Sequence, residues 1–440
     1  MKKQRLSLQR ICYLNIGNLG QNYGWGLFFA LMSPIFEYLG AAPNQISGLW
    51  LAGPVMGIIT QVVAGKWSDW CWTRFGRRRP FMLIGTIIVS ICFFLMVSSN
   101  SLTFVLILFW IMMTAANLVQ GPYRALLVDV MPKEQLATGF IVQYFFGGIG
   151  TTIAYFSPWI LTHLGVSTVS HLGGIPMITR LSFQIGGVIL LITILISCFS
   201  IKETPPVNME EFKKNKKKEL NIFHATAEIF GGIFKMPKIM WQVCIALFFS
   251  CLGAFLLNVY FATAIAVNVF GASIGTTLYT KGVVWAGLLL AWNAIFSVIF
   301  SLFMPIIAKY TSLKGLYAIT QALGGIALIS LLFIENHTLL IIPMIGVGIM
   351  QAGSGSIPFA IIGDSTDEKN IGTSMGILNI FTTLPQLFVS LCFGFFMIHL
   401  LSDNSLYALV IGGVFLVISG IFALLIQYKD PKQGLKLSDM

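Results

Sequence analysis

Between Glu37 and Lys66, and again between Arg79 and Arg124, the chain carries no Asp, Glu, Lys, Arg or His. The short stretch separating those blocks holds Lys66, Asp69, Arg74, Arg77, Arg78 and Arg79. Charge gathered into knots between long apolar blocks describes basic loops laid between membrane spans. A water-soluble surface needs roughly 25% charged residues, and this chain has 10%, against 56% hydrophobic residues. The apolar runs are continuous and often exceed about 20 residues, which excludes the short alternating segments of a β-barrel.

Cutting the sequence at charge clusters and Gly, Pro or Asn breaks predicts an all-α membrane protein with about twelve spans. The first six are expected near Ile11–Leu39, Ser47–Ala64, Pro80–Val97, Leu102–Val130, Leu136–Leu161 and Leu181–Ile201. The second six are expected near Ile239–Val267, Tyr279–Ala308, Leu316–Ile334, Leu339–Ile362, Ile371–Ile398 and Leu406–Ile426. The apolar segment opening at Ile11 is too long for a signal peptide and has no small-residue cleavage site. With both termini cytoplasmic, 24 of the 27 Lys and Arg residues fall in or beside inside loops. Arg180 and Lys281 flank outside loops, and Arg124 lies within a span. The positive-inside bias therefore sets the orientation, and the net charge of +11 is a topology signal rather than a nucleic-acid footprint.

Residues 202–238, with Lys213, Lys214, Lys216, Lys217 and Lys218, form a basic cytoplasmic linker suited to anionic headgroups. It divides the chain into an N-terminal six-helix bundle, residues 1–201, and a C-terminal one, residues 239–440. The halves echo each other: Pro122-Tyr123-Arg124-Ala125-Leu126-Leu127-Val128-Asp129 with Gly139 returns as Pro358-Phe359-Ala360-Ile361-Ile362-Gly363-Asp364 with Gly372 and Gly376. Parallel repeats of this kind belong to carriers that rock around a central site. The seven cysteines, Cys12, Cys71, Cys92, Cys198, Cys244, Cys251 and Cys392, sit in spans or inside loops without metal spacing, and read as packing residues.

Gly65-x-x-Ser68-Asp69 followed by Gly76-Arg77-Arg78-Arg79 resembles the loop after the second helix of the major facilitator superfamily. Trp50-Leu51-Ala52-Gly53-Pro54, the run from Ser68 to Phe81, and Gln120-Gly121-Pro122-Tyr123-Arg124-Ala125-Leu126-Leu127 resemble the plant sucrose transporters. They also resemble the related animal proteins and the bacterial glycoside–pentoside–hexuronide carriers. Met375-Gly376-Ile377-Leu378-Asn379, with Pro385-Gln386, is similar to the eleventh helix of that group. The resemblance implies the major facilitator fold and sugar transport by alternating access, usually coupled to protons. That group commonly carries an aspartate eleven residues before the Arg of the fourth helix, where Met113 stands here. Its plant members also offer the sugar a glutamine where Gly24-Trp25-Gly26-Leu27 leads into Phe28.

The loop's chemistry is legible too. An acid such as Asp69 at a helix end can accept from the free amides of a neighbouring helix. Arg74, Arg77, Arg78 and Arg79, spaced by Gly76, can latch acids on adjacent helix ends, for which Asp129, Glu134 and Asp364 are available. A gating role is expected for this set, against the alternative that the arginines only set topology. Arg124 is expected either to clamp sugar hydroxyls or a carboxylate, or to pair with a carbonyl or with Asp129. Glu37 is the one substitute proton site, unless it is an interfacial acid in water.

Amides and aromatic faces suit a neutral polyol. A solute site is therefore expected from Asn22, Tyr23, Phe28, Asn117, Gln120, Arg124, Asn258, Trp292, Asn293, Gln351 and Asn379, with Gln61, Gln143 and Tyr260 nearby. Each amide alone could equally be interhelical glue. Gly353, Ser354, Gly355, Ser356 and Pro358 permit a helix break or a close helix approach.

A secondary carrier for a sugar, disaccharide or glycoside-like, is the leading expectation, with a sugar-acid uniporter or exchanger and a non-transporting sensor as alternatives. No nucleotide-binding Gly-x-x-x-x-Gly-Lys loop is present, and no clustered catalytic side chains suggest an enzyme. No cofactor or metal is expected. The expected partners are a small solute, protons and the bilayer, for a monomer whose compact loops suit a bacterial inner membrane.

Overall fold

The computed structural model describes residues 5–69, 71–169, 174–200, 203, 205, 236–365 and 371–428. Most of the expected linker, and the side chains of Asp69 and Asp364, lie outside that description. The described helices are α1 (Leu8–Asn15), α2 (Gly17–Tyr38), α3 (Pro43–Leu49), α4 (Ala52–Asp69), α5 (Arg79–Val97), α6 (Leu102–Val130) and α7 (Leu136–His163). They continue as α8 (Met177–Ser200), α9 (Lys238–Ala264), α10 (Thr277–Tyr310), α11 (Leu313–Ser330), α12 (Ile341–Ser365), α13 (Ile371–His399) and α14 (Ser405–Leu424). Ten helices among the described residues are long and apolar enough to cross a membrane. The first two expected spans are not among them. Each is interrupted, at Ile16 between α1 and α2 and at Trp50–Leu51 between α3 and α4.

The chain divides into two compact units. The first comprises residues 1–41, 52–225 and 274–280; the second comprises 42–51, 226–273 and 281–440. In the first unit α2 packs on α7 and α8, α5 on α6 and α8, and α4 on α6. Its interior is aromatic: Phe93 meets Phe28 and Phe183 edge-on at 5.4 and 5.1 Å, and Phe109 meets Phe36 at 5.7 Å. In the second unit α14 packs on α9 and α11, α11 on α12, and α13 on α9 and α3. At the α11–α14 contact two glycines let the backbones touch. A Cβ on Gly325 would stand 2.6 Å from the Gly413 carbonyl oxygen, and one on Gly413 2.7 Å from that of Gly325. Where lipid supplies no hydrophobic drive between helices, such close approach is what holds them.

The α1–α2 interruption is stitched by side chains from two other helices. Tyr123 Oη of α6 accepts from the Asn18 amide at 3.0 Å and donates to the Leu14 carbonyl at 2.9 Å. Ser197 Oγ of α8 accepts from the Gly17 amide at 2.8 Å and donates to the Tyr13 carbonyl at 3.1 Å. Backbone groups freed at an apolar depth must find partners inside the protein, and here two hydroxyls supply them. The glycine- and serine-rich part of α12 is unbroken. Of the two expectations for it, close approach is met, since a Cβ on Gly353 would overlap the Thr320 side chain.

Candidate functional site

Met113, Asn117, Gln120 and Arg124 recur on α6 at the spacing of one helical face. Asn117, 2% exposed, donates its Nδ2 to the Met113 carbonyl at 2.8 Å. A backbone carbonyl can only accept, so this bond fixes which end of the Asn117 amide is oxygen. That oxygen accepts Gln61 Nε2 from α4 at 2.9 Å, and the same nitrogen donates to Gln120 Oε1 at 3.0 Å. Three amides are thereby oriented from a single main-chain anchor. One turn further on, Arg124 is exposed and, among the described residues, engages no ion pair or hydrogen bond. The expectation that Asp129 neutralises it is corrected, because Asp129 is taken by other arginines.

Those arginines belong to the α4–α5 loop. Arg77 reaches Asp129 Oδ2 from Nη2 at 2.6 Å, and Arg78 reaches the same oxygen from Nε at 3.0 Å. Arg78 Nη1 also donates to Ser68 Oγ at 2.6 Å. Glu203, beyond the end of α8, accepts the backbone amides of Arg77, Arg78 and Arg79 at 2.7, 3.1 and 3.2 Å, and lies 3.8 Å from Arg79 Nε. Successive amides at a helix start form a nest for an anion, with the helix dipole in support. Gly76, at φ +108°, makes the turn, and a Cβ there would stand 2.6 Å from Glu203 Oε1. Arg74 instead lies over the Phe75 ring at 4.8 Å. Of the expected partners, Asp129 is engaged. Glu134 makes no ion pair among the described residues, and Glu203 was not foreseen.

Glu37 is 1% exposed, so the alternative of an acid standing in water is removed. It accepts the Tyr279 phenol, and beside it Tyr38 Oη and Thr280 Oγ1 share a hydrogen bond of 2.9 Å.

The remaining candidates scatter. Asn22 donates to the Asn18 carbonyl at 2.9 Å, and Asn18 donates to the Gln143 carbonyl at 2.7 Å, so this pair ties α2 to α7. Tyr23 is buried. Phe28 is 1% exposed and packs inside the aromatic knot. Gln21, which sequence reasoning passed over, lines a recess of about 20 Å³ with Trp25 and Ala116, its Nε2 buried without a partner. In the second unit Trp292 stacks on Phe296 at 5.9 Å, and Asn293 is fully buried with neither amide atom bonded. Asn258 and Gln351 are half-buried, and the exposed Asn379 is engaged through its carbonyl by Thr382 and Thr383. Within that unit Ser354 is a polar meeting point, which Gln321 and Ser250 each reach at 2.9 Å.

Ten helices among the described residues that are long and apolar enough to cross a membrane define a polytopic membrane protein. The chain belongs to the major facilitator superfamily, whose family profile matches residues 14–310 and again 243–439. Among its relatives, the sucrose transport protein SUC4 of Arabidopsis thaliana is 25% identical over 451 residues, covering 92% of this chain and 87% of that one. The sucrose transport protein SUT5 of Oryza sativa subsp. indica is 23% identical over 468 residues, covering 92% and 85%. Among solved structures, the nucleoside transporter NupG superposes with a TM-score of 0.68 at 16% identity, covering 96% of this chain and 100% of that one. A bacterial homolog of the human lysosomal transporter Spinster gives 0.66 at 15%, covering 96% and 98%. At these identities the structural likeness speaks for the fold alone.

Proposed function

We propose that this protein carries a sugar across a membrane by alternating access, through twelve spans with both termini cytoplasmic. The observation that carries the reading is the oriented amide set Gln61, Asn117 and Gln120 beside Arg124, which is unpaired among the described residues. An exposed cation in a span is costly unless it faces a polar cavity and has a task. Planar donors next to fixed amides recognise polyhydroxylated rings. Likeness over most of the chain to proteins named for sucrose transport supports the same solute class. The loop formed by Arg77, Arg78, Asp129 and Glu203 acts as the gate, with Asp69 and Asp364 as its further acids.

Coupling to protons runs through Glu37 in this reading. The Met113 thioether cannot take up a proton, whereas Glu37 is a buried carboxylate with a phenol at hand. The test is uptake into proteoliposomes from a panel of mono- and disaccharides and sugar acids, with and without an inward pH gradient. Saturable uptake of a sugar that competing sugars inhibit is the expected outcome. A sealed, folded preparation that moves none of them overturns the reading.

A further inference from the structure

The interruption between α1 and α2 has a regular form. An unbroken helix would bond the Gly17 amide to the Tyr13 carbonyl and the Asn18 amide to the Leu14 carbonyl. A hydroxyl stands in each of these rungs. Ser197 Oγ occupies the first, accepting from Gly17 at 2.8 Å and donating to Tyr13 at 3.1 Å. Tyr123 Oη occupies the second, accepting from Asn18 at 3.0 Å and donating to Leu14 at 2.9 Å. Each hydroxyl therefore bridges the two groups that would otherwise bond each other, its single proton spent on the carbonyl. A side chain inserted into the i→i−4 ladder bends a helix.

The backbone is otherwise close to helical. Ile16 keeps φ −62° and ψ −27°, and its amide still bonds the Cys12 carbonyl at 2.9 Å. Ser197 and Tyr123 are 1% and 2% exposed, which closes the opened rungs off from solvent. The two hydroxyl oxygens lie 3.5 Å apart against Gly17, where a Cβ would stand 2.8 Å from Ser197 Oγ and 3.1 Å from Tyr123 Oη. A glycine is what leaves room for both. Just before α1, Gln135 of the α6–α7 turn accepts the Leu6 amide at 2.8 Å and donates to the Leu6 carbonyl at 2.9 Å.

We infer that α1 and α2 form a two-state hinge, bent while Tyr123 and Ser197 occupy its two open rungs and continuous once both hydroxyls withdraw and the rungs close on themselves. The hinge stands on backbone geometry and holds whichever solute is carried. Both states pair all four backbone groups, which lets a packed helix hold two shapes. Neighbouring rungs open and close together, because fixing one sets the dihedrals of the next. One hydroxyl alone is therefore enough to keep the helix bent. The swing of α1 reaches the α6–α7 turn through Leu6 and Gln135, and Tyr123, adjacent to Arg124 in the chain, ties it to α6.

Hydrogen exchange at the Gly17 and Asn18 amides of the purified full chain in detergent, resolved to single amides by mass spectrometry, tests this as a double-mutant cycle. Tyr123→Phe or Ser197→Ala alone strips one rung of its hydroxyl while the other still wedges the helix. The stripped amide, Asn18 or Gly17 respectively, should exchange at least about tenfold faster than in the wild type, the scale of one lost buried hydrogen bond. The double variant removes both wedges, so both rungs should close and both amides return to within about threefold of the wild type. Its melting temperature should likewise fall by less than the sum of the two single losses. Exchange in the double variant as fast as in the faster single variant overturns the inference and leaves a fixed break that the hydroxyls only stitch. Single variants that exchange like the wild type also overturn it, because the hydroxyls would then not be holding the rungs. Gly17→Ala is the second arm: it keeps both hydroxyls but fills their place beside the helix. There the Asn18 amide should exchange no faster than in the wild type. Faster exchange in protein that melts cooperatively overturns the two-state hinge, whether or not the double variant folds.

Discussion

At the scale of single residues, geometry separates side chains of the same type. Arg74 lies on a ring, Arg77 and Arg78 share Asp129, and Arg124, the one placed within a span, engages no partner among the described residues. Arg124→Lys is expected to lower solute affinity by at least about tenfold, because an ammonium cannot reproduce a planar fork of donors. Equilibrium binding to the purified variant checks this, and near-normal affinity would remove the bidentate role. Gly76 gives a sharper case. A side chain there meets both a left-handed φ and the Glu203 carboxylate. Gly76→Ala should therefore cost about 1–3 kcal/mol of stability, read from thermal unfolding in detergent. Substituting a glycine with open space around it, such as the half-buried Gly53, is the control for the measurement.

At the scale of elements, the informative places are where a helix stops being regular. Tyr123 reads in the sequence as the middle of a Pro-Tyr-Arg motif, and its task in the structure is to bridge the break between α1 and α2. Tyr123→Phe keeps the ring and removes one donor and one acceptor from freed backbone groups. It should cost about 1–3 kcal/mol, visible as a lower melting temperature and faster hydrogen exchange around Asn18. A variant as stable as wild type would mean the break needs no stitching. The helices themselves were legible because charge-free blocks and 3.6-residue spacing are local signals. Leu102–Val130 matches its expected limits, and the α6 face follows from that spacing. The breaks were not legible, since neither Ile16 nor Trp50 is a residue that stops helices by itself. The place of Phe28 in the aromatic knot was hidden for a related reason. Most of α2 is buried on all sides, so its sequence does not reveal which side chains meet a neighbour and which meet a cavity. Glu203 was missed because its partners lie 126 residues earlier and its surroundings read as a solvated linker.

At the scale of the whole molecule, the question is what drives transport, since the spacing that locates Arg124 also puts a thioether where the family resemblance leads one to expect an acid. If Glu37 takes the proton, Glu37→Gln should abolish accumulation driven by an imposed inward pH gradient while leaving exchange of solute at equal pH in place. Counterflow and gradient-driven uptake in the same proteoliposomes separate the two. Strong gradient-driven accumulation in Glu37→Gln would move the proton site to Asp129 or Asp364. The cradle that Arg77, Arg78 and Arg79 make for Glu203 also carries a consequence for biosynthesis. During translation the three amides are complete long before their carboxylate exists, and α6, α7 and α8 must all be made first. A nascent chain arrested at the end of α8 holds an unfilled anion nest, whereas one a few residues longer can close it. In chain order, Glu203 supplies the last long-range bond of the first unit's own α4–α5 turn.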